Sequence, residues 1–303
     1  MHGGWTTVKG SGVQWLFSRT AVDAAAELYN ETGFVGFTDL LEPDGFREIR
    51  AAVDAAMAAN QLTVDEEEMP NNNDCVYADP RIEAMAKNPA IVAIARRLIG
   101  HPIELQHSKF NAKPLHDRGA GEVKWHQDYP FFPHSNFDMV ACLIHLDEEK
   151  EDAGPLKCIP GSHKWGPLSH LNPDGTFAYG CTAWSPQEME AMPQVLLEGE
   201  AGMVTFHHAL TLHASAPKQR SGHRRFVIFQ YRAYDAIQLA GVVWKCHGMQ
   251  VEDRPMLPSV ARFPDGARVE MRGIGGRLFD VGGRLAPNRG SGRHPSQGRA
   301  VGS

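Results

Sequence analysis

The 303-residue chain is 42% apolar, enough to bury a sizeable core, and its formal net charge of -6 comes without a basic stripe, which argues against a nucleic-acid partner. No run of about 18 apolar residues occurs, so no membrane span is expected. Five cysteines at wide spacings, with no CxxC pair, indicate neither a zinc knuckle nor a disulfide framework and suit a reducing cytosol. The opening Met1-His2-Gly3-Gly4-Trp5 lacks the basic and apolar segments of a signal peptide, and a soluble, cytoplasmic protein is expected.

Taken in order, the apolar positions Ala21, Ala24, Ala25 and Leu28 predict a short amphipathic helix over 19–29, ended by Gly33 and followed by the strand Phe34 to Phe37. Pro43 opens a second helix that runs to about Asn60, with Phe46, Ile49, Val53 and Met57 on one face. Residues 61–80, with Asp65-Glu66-Glu67-Glu68 and Asn71-Asn72-Asn73, read as a long polar loop whose charge run is a solvated surface. A third helix fits Pro89 to Leu98, closed by Gly100. After residue 101 short apolar or alternating runs are separated by Gly, Pro, Asp and Asn: 103–110, 123–126, 139–146, 156–159, 203–206 and 226–231. Helices first and strands afterwards give an α+β layout, best met by a jelly roll (a double-stranded β-helix, cupin-like) over about 101–240 with the N-terminal helices packed on one sheet. Residues 1–285 form one domain on this reading. The Gly-, Arg-, Ser- and Pro-rich residues 286–303 are a disordered tail.

Fifteen histidines make any one of them uninformative, but their arrangement is not. In Trp125-His126-Gln127-Asp128 an imidazole and a carboxylate stand two apart, and on an extended strand such residues share a face. The segment from Gly202 to Ser215 supplies His207, His208 and His213 as candidates for a third ligand, among which strand alternation does not decide. Two His and one carboxylate leave three positions open on an ion, the arrangement of non-haem iron(II) oxygenases, whereas a structural zinc site would be closed by four protein ligands. A rival pair, His145 and Asp147, runs into Glu148-Glu149-Lys150-Glu151-Asp152 and looks like an exposed strand end. The first pair is flanked by Trp125, Tyr129, Phe131 and Phe132, which suit a cavity that excludes water.

The ordered set His107-Ser108-Lys109-Phe110-Asn111-Ala112-Lys113-Pro114, Trp125-His126-Gln127-Asp128, Ala153-Gly154-Pro155-Leu156, Ile159-Pro160-Gly161-Ser162-His163, Phe206-His207-His208, Leu212-His213-Ala214-Ser215 and Arg224-Arg225 resembles the phytanoyl-CoA dioxygenase family of iron(II)/2-oxoglutarate oxygenases, nearer its ectoine hydroxylase members than its acyl-CoA members. The resemblance implies Fe(II) held by His126, Asp128 and His213, with 2-oxoglutarate and O₂ as cosubstrates. It gives Arg224 the far carboxylate of 2-oxoglutarate, a bond that suits a guanidinium, with Ser215 and Asn111 assisting. His107 stands where the ectoine enzymes have Gln. Halogenating relatives carry a small residue in place of the carboxylate ligand, so Asp128 implies oxygenation. The expected activity is hydroxylation of an unactivated C–H bond of a small or medium polar metabolite, with release of succinate and CO₂. Phe131 and Phe132 would line its pocket, and one of Lys109, Lys113, Lys124 and Arg232 would meet a substrate carboxylate. Two other readings fit the same residues: a cupin-like metal enzyme that does not use 2-oxoglutarate, and a non-catalytic ligand-binding relative. No oligomeric state follows.

Overall fold

The computed structural model describes residues 14–63, 72–113 and 121–252, together with the strand pair 271–272 and 278–279. The tail expected over 286–303 and the acidic run 65–68 lie outside the described residues.

The N-terminal part comprises β1 (Leu16–Phe17), α1 (Val22–Thr32), β2 (Phe34–Phe37), α2 (Pro43–Ala58), β3 (Asn72–Asn73), α3 (Pro80–Ala86) and α4 (Pro89–Ile99). Local chemistry sets the helix ends. Gly33 and Gly100 close α1 and α4 in the left-handed conformation, which costs glycine no Cβ clash. Pro43, Pro80 and Pro89 open three helices, and the Asn88 side chain accepts from the backbone N–H groups of Ala90 and Ile91. The loop expected over 61–80 is instead interrupted by β3 and by a 3₁₀ turn at Cys75–Tyr77, and α3 follows directly. Asp79-Pro80 carried the start signal for α3, but seven residues are too few to display a helical period.

The strands β4 (Ile103–Ala112), β5 (Val123–His126), β6 (Met139–His145), β7 (Leu156–Cys158), β8 (Val195–Leu196), β9 (Val204–His208), β10 (His213–Ser215), β11 (Arg225–Ala233) and β12 (Met249–Gln250) complete the core, with the short helix α5 (Pro186–Glu190) between β7 and β8. Among the described residues they form an eight-stranded sheet, ordered β1-β2-β9-β6-β11-β4-β12 with β3 also on β4, and a four-stranded sheet β5-β10-β7-β8. From β4 onward the chain shuttles between the two sheets, and every pairing except β1 with β2 is antiparallel. That shuttling is the double-stranded β-helix expected from the sequence.

The larger sheet is buried on both faces, which is why β6 reads as an unbroken apolar run. Val140, Cys142 and Ile144 meet Ile49 and Val53 of α2, Ile82 and Met85 of α3, and Ile91 of α4. Ala141 and Leu143 point the other way, to Phe34, Leu156, Cys158 and Phe226 between the sheets. The Tyr231 hydroxyl donates to the Ala86 carbonyl at 2.8 Å and pins α3 to the sheet. Deleting one of the large side chains in the outer layer, such as Phe206→Ala, would cost about 3–5 kcal/mol. The β4–β11 register slips by one residue at Gln106, so Leu105 packs under the helices while His107 faces the space between the sheets.

Candidate metal centre and cosubstrate cavity

Between the sheets lies a cavity of about 280 Å³, lined from the larger sheet by His107, Lys109 and Asn111 of β4 and by Phe226, Ile228 and Gln230 of β11. Pairing of Lys109 with Ile228 and Asn111 with Phe226 places these side chains on one face of adjacent strands. The smaller sheet supplies His126, His213 and Ser215.

Nitrogen or oxygen atoms of His126, Asp128 and His213 all lie within 4.8 Å of one another. Each imidazole is oriented by its own strand: His126 Nδ1 donates to the Lys124 carbonyl and His213 Nδ1 to the Thr211 carbonyl, both at 2.8 Å. That fixes the tautomer and leaves each Nε2 lone pair facing Asp128, at 3.7 and 3.8 Å from Oδ1. The sequence argument for Asp128 needs correction, because β5 ends at His126 and Asp128 takes helical torsion angles at the head of a 3₁₀ turn. The carboxylate reaches its position through that turn rather than through strand alternation.

The turn is held by Gln127, to which the sequence reading gave no role, and by His207, which it had among the candidates for the third ligand. Gln127 is fully buried between the two candidate ligands. Its amide donates to the carbonyls of Gly166 and Leu210 at 3.0 and 2.8 Å and accepts from Leu168 N–H at 2.7 Å. His207 Nε2 donates to Asp128 Oδ2 at 3.1 Å. His208 points the other way, its ring 5.4 Å from that of His163 and 6.3 Å from that of Tyr29. Ser162 accepts from the Leu212 N–H at 2.8 Å, fixing the backbone one residue before His213. Adjacent His in one strand is a sequence signal that one of them faces inward, though not of what it meets.

The electrostatics suit a divalent cation. Burial alone would raise the Asp128 carboxyl, but His213, His207 and His126 outweigh it and hold the group far below the usual carboxylate range. Burial pushes His126 and His213 down, so both imidazoles are neutral. Two neutral nitrogens and one ionised carboxylate in a buried pocket are a donor set for a metal of that charge.

The rival motif is spent elsewhere. His145 and Glu149 are both fully buried, contrary to the exposed strand end expected from the charge of 147–152. His145 Nδ1 donates to Glu149 Oε1 at 3.1 Å, and its Nε2 lies 2.9 Å from the Thr205 hydroxyl. Asp147 pairs with Arg225, which also reaches Asp54 at 2.8 Å. Arg224, one residue earlier and on the opposite face, lines the cavity. Its Nε donates to Glu149 at 2.9 Å, its guanidinium stacks on Phe226, and Nη2 is buried with no protein partner. Asn111 Oδ1 is likewise buried and unpartnered, and Ser215 lies in the same lining. Phe131 and Phe132 also line the space, as does Trp244, and the Phe131 ring lies 5.6 Å from His126.

The family described as phytanoyl-CoA dioxygenase (PhyH) matches residues 29–227, well over half of the chain. The chain belongs to that family. Among curated relatives, it is 37% identical over 171 residues to a probable alpha-ketoglutarate-dependent hypophosphite dioxygenase of Stutzerimonas stutzeri, covering 56% of this chain and 58% of that protein. It is 28% identical over 146 residues to the L-proline trans-4-hydroxylase of Streptomyces griseoviridis, 46% of this chain and 54% of that one. The chain thus matches little more than half the length of these relatives. In fold, it resembles the epimerase SnoN in complex with Fe3+, alpha ketoglutarate and nogalamycin RO (TM-score 0.62, 22% identity, 81% of this chain and 93% of that one). The apoform of EctD from S. alaskensis superposes equally well (TM-score 0.62, 19% identity, 82% and 88%). Both likenesses concern the fold alone, and no helix among the described residues is long and apolar enough to cross a membrane.

Proposed function

We propose that this PhyH protein is an Fe(II)/2-oxoglutarate-dependent dioxygenase that hydroxylates a small or medium polar metabolite. The observation that carries the reading is a pairing within one cavity: a His126, Asp128 and His213 cluster open on one side, and a guanidinium nitrogen of Arg224 with no protein partner. The buried and unpartnered Asn111 Oδ1 and Arg224 Nη2 are the kind of polar atoms a bound carboxylic acid would satisfy.

When bound, Fe(II) and 2-oxoglutarate supply O₂ activation coupled to oxidative decarboxylation, with succinate and CO₂ released. The chain supplies position and environment. His126, Asp128 and His213 would hold the metal. Arg224, oriented by Glu149, clamps the far carboxylate of the cosubstrate, with Ser215 and Asn111 beside it. Phe131, Phe132 and Trp244 form an apolar wall that keeps bulk water from the reacting centre. A cavity near the small end of ligand pockets, which run to roughly 300–1,000 Å³, must take cosubstrate and substrate together, and this favours a small metabolite over an acyl-CoA. Relatives named for hypophosphite, L-proline and ectoine support the same size class. A cytoplasmic location fits the five free, buried cysteines.

The test is anaerobic reconstitution with Fe(II), addition of 2-oxoglutarate and O₂, and a screen of polar metabolites read as succinate formed above a no-substrate control. Coupled succinate and hydroxylated product, lost on chelation, are expected. Failure to bind 2-oxoglutarate, or efficient hydroxylation of acyl-CoA thioesters alone, would overturn the reading.

A further inference from the structure

Four cations stand in or near the strands that frame the cavity, and the structure separates them. Arg232 is buried against Glu104 at 2.5 Å and donates to the Ala236 carbonyl. The Lys113 ammonium donates to the Ala216 carbonyl. Lys124 is exposed on the outward side of β5. Lys109 remains. It lines the cavity from the centre of β4, and no carboxylate, carbonyl or hydroxyl among the described residues hydrogen-bonds or ion-pairs with its ammonium. The carboxylate whose field reaches it is Asp128, already engaged by His207 and facing His126 and His213. Lys109 is half-buried with its charge open to the cavity, so an anion bound there would supply the counter-charge that the protein does not.

Its place along the strand indicates which ligand does so. On the cavity face of β4, Asn111 neighbours Phe226 and the Arg224 end, and His107 faces Gln230 at the other end against Trp244 and Phe132. Lys109 lies between them, one two-residue step of roughly 7 Å from Asn111 and away from Arg224. Under the proposed function, on which this inference rests, Arg224 would take the far carboxylate of the cosubstrate, and His126, Asp128 and His213 would hold the metal. The remaining cation faces the part of the cavity left for substrate, beneath the aromatic wall of Phe131, Phe132 and Trp244.

We propose that Lys109 is the binding residue for an anionic group of the primary substrate, and that the site therefore selects small oxyanions, carboxylate or phosphorus-based, over neutral molecules of the same shape. His107 adds no second charge there: burial pushes its pKa down to about 4, and its Nδ1–H is taken by the Gln106 amide oxygen, which leaves Lys109 as the cation facing this part of the cavity. The apolar wall limits the rest of the ligand to a compact, partly apolar body.

The experiment is anaerobic calorimetry on the Fe(II)- and 2-oxoglutarate-loaded protein, in which no turnover competes with binding. The probes are hypophosphite, methylphosphonate, L-proline and, as the match of the last without its carboxylate, L-prolinamide. The wild type is expected to bind at least one anion, and the phosphorus and carboxylate arms tell which kind it takes. Lys109→Met should weaken that anion by about thirtyfold or more while 2-oxoglutarate affinity stays within about threefold, and Lys109→Arg should restore most of the loss. The Arg variant and a melting curve for each protein separate lost charge from lost folding. The proposal is overturned by a wild type that binds none of the anions, by prolinamide binding as tightly as proline, or by a Lys109→Met protein that loses 2-oxoglutarate instead. A wild type that binds no 2-oxoglutarate at all would sink the proposed function itself, a separate result in the same titrations.

Discussion

Arg224 and Glu149 meet in the buried interior, Nε to Oε2 at 2.9 Å, so that the guanidinium is held by one edge and presents the other to the cavity. Glu149 is in turn held by His145, which lies against Thr205. A chain of four side chains, two from strands β6 and β9 and two from the segments beside them, thus sets the direction of one cation. Arg224→Ala should raise the 2-oxoglutarate requirement by about a hundredfold, because it leaves the far carboxylate unpaired. Glu149→Gln, which keeps one hydrogen bond but removes the fixed charge, should raise it by about tenfold with a smaller effect on substrate affinity. Titration of 2-oxoglutarate against each variant checks both, and an unchanged KM in Arg224→Ala would exclude its assignment.

Iron content separates the two His-x-Asp pairs. His126→Ala and His213→Ala should each abolish stoichiometric Fe(II) binding, because two remaining donors hold the ion weakly. His145→Ala should retain iron, since both of its ring nitrogens are occupied by Glu149 and Thr205. Metal analysis of the reconstituted, desalted variants reads this directly. Iron lost from the His145 variant alone would mean that the centre lies elsewhere.

His207 acts on the centre through Asp128 rather than by ligation. Removing a hydrogen-bond donor from a ligating carboxylate commonly costs about 10–100-fold in metal affinity. His207→Ala should therefore weaken Fe(II) by that factor without abolishing binding, and His207→Gln, which can still donate, should recover part of it. Competition with a chelator of known affinity measures the difference. A His207→Ala protein with no iron at any concentration would make His207 a ligand in its own right.

Metal-free protein should begin to lose stability near pH 6.5, well above the carboxylate range. Burial holds His134, His208 and His247 at about 3 and His107 at about 4, against the ordinary value of 6.5. Below about 6.5 the unfolded chain takes up protons that the folded chain refuses. The stabilisation is present above the unfolded value and is lost as pH falls toward the folded ones, each imidazole contributing up to about 1.4 kcal/mol per pH unit. Thermal melts from about pH 8 down to about pH 5 should fall progressively across the lower half, with a shallower fall in His134→Gln. A flat melting temperature across that range would contradict the buried, neutral state of these rings.

Short-range chemistry was legible from the sequence wherever it governs structure. Pro43, Pro89, Gly33 and Gly100 mark helix ends because a proline ring or a left-handed glycine has few other uses. The short apolar or alternating runs after residue 101 mark strands because one or both faces of each had to be buried. Helices followed by many short strands pointed to the jelly roll, and His126, Asp128 and His213 could be singled out as candidates from the order of motifs. What the chain order does not carry is which side chains meet across it. Arg224 and Arg225 are adjacent and chemically identical, and only the strand's position between two layers sends one to the cavity and the other to Asp147 and Asp54. His207 and His208 divide in the same way, and the extra residue at Gln106 reverses the alternation that would have paired His107 with Leu105. The charges of 147–152 read as solvent-exposed because composition registers charge but not partners. Glu149 is buried because Arg224, 75 residues later, neutralises it there. Pairing over such separations is an energetic property of the folded packing, and it is the tertiary structure that decides it.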